Sequence, residues 1–218
     1  MQLDNTHTSS TLDLLEPLEN LVDDSQRVYR QLLKALSEPG LCLNTDVTHS
    51  ACHETVHAST WAIAQTLLDH DCLVYVSDNL SHPEFLNSLT FYTDCRMTKN
   101  TDEADFSFLT LAELQSLDSF SGGTVEAPHK SATLIIQVDA MGIDNQSHTQ
   151  QYLLSGPGIP SERALFIADL TNRQVQLLQD NHKQYPCGVD ILFCSEQQVC
   201  GLPRSTEITE YFPIEENA

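Results

Sequence analysis

Basic residues are scarce in this sequence. Ten lysines and arginines stand against 31 acids in 218 residues, a formal charge of −21 at neutral pH. A phosphate backbone repels such a surface, which argues against a nucleic-acid role unless the few bases cluster. Long apolar runs are lacking too. The longest, such as Thr133–Val138 and Asp190–Cys194, are strand-sized and far short of the roughly 20 residues a membrane span needs. No basic stretch followed by an apolar one opens the chain. Leu12–Leu21 instead alternates leucines with Asp13, Glu16 and Glu19, so secretion is not expected and the expected compartment is the cytoplasm.

Compact catalytic signatures are missing as well. There is no GxxxxGK[ST] phosphate loop and no six-residue dinucleotide fingerprint. Nor is there a nucleophile elbow, an HExxH, or a Cys/His arrangement with diagnostic local context. The seven cysteines (Cys42, Cys52, Cys72, Cys95, Cys187, Cys194 and Cys200) are odd in number and include no CxxC pair. That spacing excludes a local three-cysteine iron–sulfur motif, and the thiols read as reduced small hydrophobes. The four lysines, Lys34, Lys99, Lys130 and Lys183, do not end convincing strands as a Schiff-base lysine might.

What is present is enough apolar surface for a core: hydrophobic residues make up 40% of the chain, and the length suits one large domain. Residues 1–22 read as an acidic, loosely ordered arm, 23–212 as one α/β domain, and 213–218 as an acidic tail. The spacing predicts a helix over Asp24–Ser37, with Val28, Leu32 and Leu36 on one face, oxygens of Asp23, Asp24 and Ser25 at its start, and Pro39-Gly40 as its stop. Capping boxes at Ser81–Glu84, Thr110–Glu113 and Thr171–Gln174 predict three more helices, and Trp61, Ala64 and Leu68 place another near Ser59–Leu68. Strands are expected at Leu41–Leu43, Leu73–Ser77, Phe106–Leu109, Thr133–Asp139, Gln151–Ser155, Val189–Cys194 and Gln198–Leu202. The order favours a mixed sheet with helices on both faces.

Scarcity makes the bases informative. Arg30 and Lys34 lie four apart on the first helix, Arg163 follows Gly156-Pro157-Gly158, and Arg204 follows Leu202-Pro203. An arginine fork matches a phosphate or phosphonate, although each could equally pair with the acidic surface. Gly156-Pro157-Gly158 directly follows a strand pattern and either admits an anion to backbone amides or is a tight structural turn. Ser121-Gly122-Gly123-Thr124, ahead of Pro128, reads the same way. His49, His53 and His57 recur every four residues, which on a helix with Cys52 and Glu54 nearby would make a zinc stripe. Thr55, Val56 and Ser59 instead suggest a loop entering a helix, so no metal ligand is assigned. No catalytic residue is assigned either.

Four stretches resemble one family, the H subunit of the carbon–phosphorus lyase system (PhnH). They are Tyr29–Gly40; Gly123-Thr124 with Pro128 and Ala132–Ile135; Leu154–Ile159; and Tyr185–Asp190 joined to Leu202–Thr206. They occur in the family's order and at its spacing, over roughly Arg27–Thr206. Ser131 departs from a usual glycine and Tyr185 from a usual phenylalanine. The resemblance implies a three-layer α/β/α fold with a mixed sheet, like the large domain of pyridoxal-phosphate-dependent transferases but without that cofactor or an iron–sulfur cluster. It implies a homodimer when isolated, and a core assembly with the G, I and J subunits that forms ribose 1-methylphosphonate 5-triphosphate from ATP and methylphosphonate. In that setting the chain would be an accessory subunit with no activity alone. Arg30, Pro39, Gly40, Thr124, Pro128, Gly156, Gly158, Arg163, Asp190 and Arg204 are the candidates for contacting a partner or a nucleotide or phosphonate ligand. The alternatives are a free-standing transferase-like enzyme and a purely structural dimer.

Overall fold

The computed structural model describes residues 13–47, 55–142 and 151–211. A mixed seven-stranded sheet runs through it. In chain order its strands are β1 (Cys42–Asn44), β2 (Leu73–Val76), β3 (Arg96–Thr98), β4 (Phe106–Thr110), β5 (Thr133–Gln137), β9 (Asp190–Cys194) and β10 (Gln198–Leu202). Across the sheet the order is β1-β10-β9-β5-β4-β2-β3. The run from β9 to β3 is parallel, while β10 is antiparallel to both of its neighbours. A second sheet, ordered β11-β7-β8-β6, is antiparallel and built from β6 (Met141–Gly142), β7 (Gln151–Ser155), β8 (Arg163–Ile167) and β11 (Glu207–Tyr211).

Side-chain alternation along the central strands divides the core in two. On one face Val74, Phe108, Ile135, Leu192 and Val199 meet α1 (Leu21–Ser37), α2 (Ala58–Leu67) and α3 (Pro83–Thr93). On the other, Leu109, Leu134, Ile136, Ile191, Phe193 and Leu202 meet the small sheet together with α4 (Asn172–Lys183). Helices were expected on both faces; the second face does carry one, α4, but shares it with the small antiparallel sheet. The parallel strands are buried on both sides, which explains their unbroken apolar runs.

Two expectations are corrected at the N-terminal end. Of the arm, residues 13–20 are not loose. Leu15 and Leu18 are buried in the helical-face core, the Leu15 and Leu18 amides donate to Ser88 and Gln65, and Trp61 Nε1 donates to the Glu16 carbonyl at 2.7 Å. Helix α1 begins at Leu21, because Asn20 is the residue whose side chain accepts the Asp23 amide. The boxes at Thr110–Glu113 and Thr171–Gln174 form as read, the first over only a single 3₁₀ turn. At α3 the cap is His82 with no side-chain bond, and Pro83 supplies the first helical residue.

Candidate functional site

Most of the residues picked out by the sequence meet at two neighbouring junctions. The first is centred on Arg204, just past β10, and Asp190, the first residue of β9. Arg204 Nε and Nη2 donate to the two carboxylate oxygens at 3.1 and 2.6 Å, and its backbone N–H donates to Asp190 Oδ1 at 2.9 Å. Nη1 donates to the carbonyls of Pro128 and Pro186 at 2.8 and 3.5 Å, and Nη2 also donates to Ser131 Oγ. An arginine has five N–H donors, and here each has a partner within the chain. The guanidinium thus ties together the turn before β5, the loop after α4, the start of β9 and the exit from β10. Ser131 is one of the acceptors. Around this pair lies an open groove of about 400 Å³, walled by Pro128, Pro157, Pro186 and Pro203 with Tyr185.

The second junction holds the end of α1. Arg163, first residue of β8, donates from Nη1 to the carbonyls of Glu38 and Pro39 at 2.8 and 2.7 Å, and its Nη2 lies 4.0 Å from the Glu38 carboxylate. A helix end leaves carbonyls without intrahelical partners and carries partial negative charge, so a cation there is doubly favoured. Pro39 and Gly40 are buried beside it. Gly158, at φ +83, sits so close under α1 that a Cβ would run into the Ser37 carbonyl. A Cβ on Gly156 would come within 2.9 Å of the Ser205 carbonyl. The Gly156–Gly158 turn therefore threads between both junctions, and the lack of side chains there serves close chain approach.

Two candidates lie elsewhere. Arg30 is exposed on α1. Thr124 closes a small turn with Ala127, exchanging backbone bonds of 3.4 and 3.1 Å and accepting the Ala127 amide on its hydroxyl. Of the histidine series, His49 and His53 fall outside the described residues. His57 is the N-cap of α2, donating its amide to Gln137 Oε1 at 2.9 Å, with Nε2 4.0 Å from Glu196.

Sequence reading missed a cavity of about 560 Å³ beyond the carboxyl ends of β4 and β5. Leu111, Leu114 and Val138 line it, and Asp139, Asp169 and Arg173 stand around it. Arg173 donates to the Gln115 carbonyl at 3.2 Å. Crevices outside the carboxyl ends of parallel strands are where open α/β sheets take ligands. The cavity's far wall is the β8-to-α4 connection, with Asp169 in the left-handed region at φ +58. The Thr171 capping box pointed to the start of α4, but β8 was not foreseen. A neighbouring crevice holds Glu113. Burial pushes this carboxyl up, but hydrogen bonds from Ser77, Thr110 and the Asn79 amide outweigh it and hold the group below the ordinary glutamate value.

Comparison with known proteins agrees with the motif pattern. The sequence profile of the family described as bacterial phosphonate metabolism protein (PhnH) matches residues 17–209. The chain is 29% identical over 188 residues to the alpha-D-ribose 1-methylphosphonate 5-triphosphate synthase subunit PhnH of Rhizobium meliloti (strain 1021), covering 86% of this chain and 91% of that protein. It is 25% identical over 185 residues to the putative C-P lyase subunit protein HtxG of Stutzerimonas stutzeri, covering 84% and 85%. With the profile spanning nearly all of the described domain, the chain belongs to the PhnH family of bacterial phosphonate metabolism proteins.

Proposed function

We propose that this protein is an accessory subunit of a cytoplasmic carbon–phosphorus lyase assembly, needed for making ribose 1-methylphosphonate 5-triphosphate and supplying no bond-making group of its own. The family match across residues 17–209 carries the reading, together with two relatives whose names call them subunits. The use of the scarce cations supports it. Arg163 and Arg204 spend their donors on carbonyls and a carboxylate of the same chain, so they build a platform. Helix α1 then presents Val22, Tyr29 and Leu33 to solvent at 64%, 48% and 51% exposure. An apolar stripe of this kind suits burial against another chain, in line with a homodimer when isolated and with G, I and J subunits as neighbours.

On this reading the fold is the three-layer type of pyridoxal-phosphate-dependent transferases, working without that coenzyme or an iron–sulfur cluster. The parallel run from β9 to β3 supports the first part. For the coenzyme, the lysines support its absence: all four are exposed, and none lines the cavity at the strand ends. That cavity favours a nucleotide or phosphonate ligand as a second reading, with Arg173 as its available cation.

The test is affinity purification of the tagged chain from cells using methylphosphonate, beside growth of a deletion strain on that phosphorus source. The proposal expects G, I and J to co-purify and the deletion strain not to grow. Recovery of the chain alone from a strain that grows normally without it would end the proposal. ATP turnover by the isolated chain would favour the free-standing enzyme instead. A rise in melting temperature with ATP or methylphosphonate, since binding to the native state alone stabilises it, would support the ligand reading over a purely structural dimer.

A further inference from the structure

We propose that Cys42 and Cys200 are a peroxide-reactive dithiol that closes into a disulfide across strands β1 and β10. The two residues are direct cross-strand partners in the antiparallel pair at the sheet edge. Their position within the ladder follows from one hydrogen bond. The Thr45 amide donates to the Gln197 carbonyl at 2.9 Å, and Thr45 opposes Gln197 in the same register. Hydrogen-bonded and non-hydrogen-bonded pairs alternate along an antiparallel ladder. Counting back from Thr45, Leu43 opposite Val199 is a bonded pair, and Cys42 opposite Cys200 is a non-bonded one. Non-bonded pairs bring α-carbons to about 4.5 Å, with their side chains on the near side. That lies within the window of about 4.4–6.8 Å that a disulfide accepts. Both side chains pack on the same face of the sheet, against the core of the small sheet and α4.

The two thiols are unequal in the way a reactive and a resolving cysteine need to be. Cys42 is half-buried and Cys200 fully buried. The neighbouring Cys200 thiol holds Cys42 below the ordinary thiol value; burial opposes this, and the Arg163 cation assists it. The pairing with Cys42 and burial hold Cys200 well above that value. Thiolate character and access together decide which cysteine reacts with an oxidant. Cys72 is a built-in comparison. It is also half-buried, but burial above all pushes its thiol up to about 11.

The chemistry closes with a hydroperoxide as oxidant. The Cys42 thiolate attacks one peroxide oxygen, the O–O bond breaks, hydroxide leaves and Cys42 becomes a sulfenic acid. The Cys200 sulfur then attacks Cys42 Sγ, the S–O bond breaks, and the Cys200 proton leaves with the hydroxyl as water. The released hydroxide takes up the proton that the Cys42 thiol gave up, so one hydrogen peroxide is reduced to two waters and two thiols are oxidised to one disulfide. The bond would pin edge strand β1, which follows the α1 stop held by Arg163, to β10.

The test uses the full reduced chain exposed to a small excess of hydrogen peroxide at neutral pH, then unfolded, alkylated and peptide-mapped by mass spectrometry. The expected product is a Cys42–Cys200 linked peptide pair, two hydrogens lighter than its parts and separated by dithiothreitol, with a melting temperature several degrees higher. Cys200→Ser should stop at a sulfenic acid on Cys42 that dimedone traps, and Cys42→Ser should yield no dimedone adduct on Cys200. Recovery of both wild-type peptides separately alkylated, or oxidation of Cys72 as fast as Cys42, would overturn the proposal. The wild-type map decides the matter even where a variant folds poorly.

Discussion

Arg204→Ala separates support of the fold from recognition of an anion. The substitution leaves the Asp190 carboxylate facing a vacated space, with only the backbone amide at position 204 still donating to it. Removing one partner of a fully buried ion pair costs roughly 3–5 kcal/mol. Here the side chains are 13% and 26% exposed, so water recovers part of that, and about 3 kcal/mol is expected. For a chain of this size, about 2–4 °C per kcal/mol converts this to a melting temperature roughly 6–12 °C lower. Arg204→Lys should recover little, because a single ammonium cannot reproduce the bidentate fork and reach the Pro128 carbonyl at once. Asp190→Ala combined with Arg204→Ala should cost less than the sum of the single changes, since the two groups act as one unit. Arg30→Ala, at an exposed position, should stay within about 0.5 kcal/mol of wild type. The assay is urea unfolding followed by the fluorescence of Trp61, comparing midpoints at constant slope. If Arg204→Ala keeps wild-type stability while abolishing growth on methylphosphonate, the guanidinium serves a ligand and the reasoning fails.

Leu15→Ala should cost about 2–4 kcal/mol as a buried leucine truncation, and should red-shift Trp61 emission by loosening the segment that accepts its indole N–H; unchanged emission would show that this segment is not anchored there. Gly158→Ala should destabilise by more than about 1 kcal/mol, because it combines a left-handed backbone with a clash against the Ser37 carbonyl; circular dichroism melting checks it. Glu113 has a depressed folded-state pKa, so its contribution is complete above the ordinary carboxyl value of about 4.3 and is lost as the pH falls through the lower folded value. Glu113→Gln should therefore cost about 1 kcal/mol at neutral pH and flatten the acid limb of the stability–pH curve, and an unchanged acid limb would contradict this account.

Local chemistry was readable wherever a few adjacent residues sufficed. The Thr110 and Thr171 boxes, the Pro39-Gly40 stop and the apolar runs of β4, β5 and β9 each carry their own reason to form. Strands that depend on a neighbour did not announce themselves. Arg96–Thr98 is a short edge strand, mostly exposed, that exists because β2 offers it a ladder, and Arg163–Ile167 is ordered by β7 on one side and β6 on the other. Docking of Leu15 and Leu18 needed α2 and α3 to be in place first, so an acidic, leucine-bearing stretch looked like a loose arm.

At the candidate site, the scarce residue types, the glycine turns and the family pattern of the motifs were all legible along the chain. What the arginines hold emerged from the three-dimensional packing alone. A guanidinium binds whatever acceptors surround it, and here Pro128, Ser131, Pro186 and Asp190 come from segments as much as 76 residues away in the chain. The cavity past β4 and β5 and the Cys42–Cys200 pairing were hidden for the same reason. Both are created by strand order and register, which long-range packing sets and no short stretch of sequence encodes.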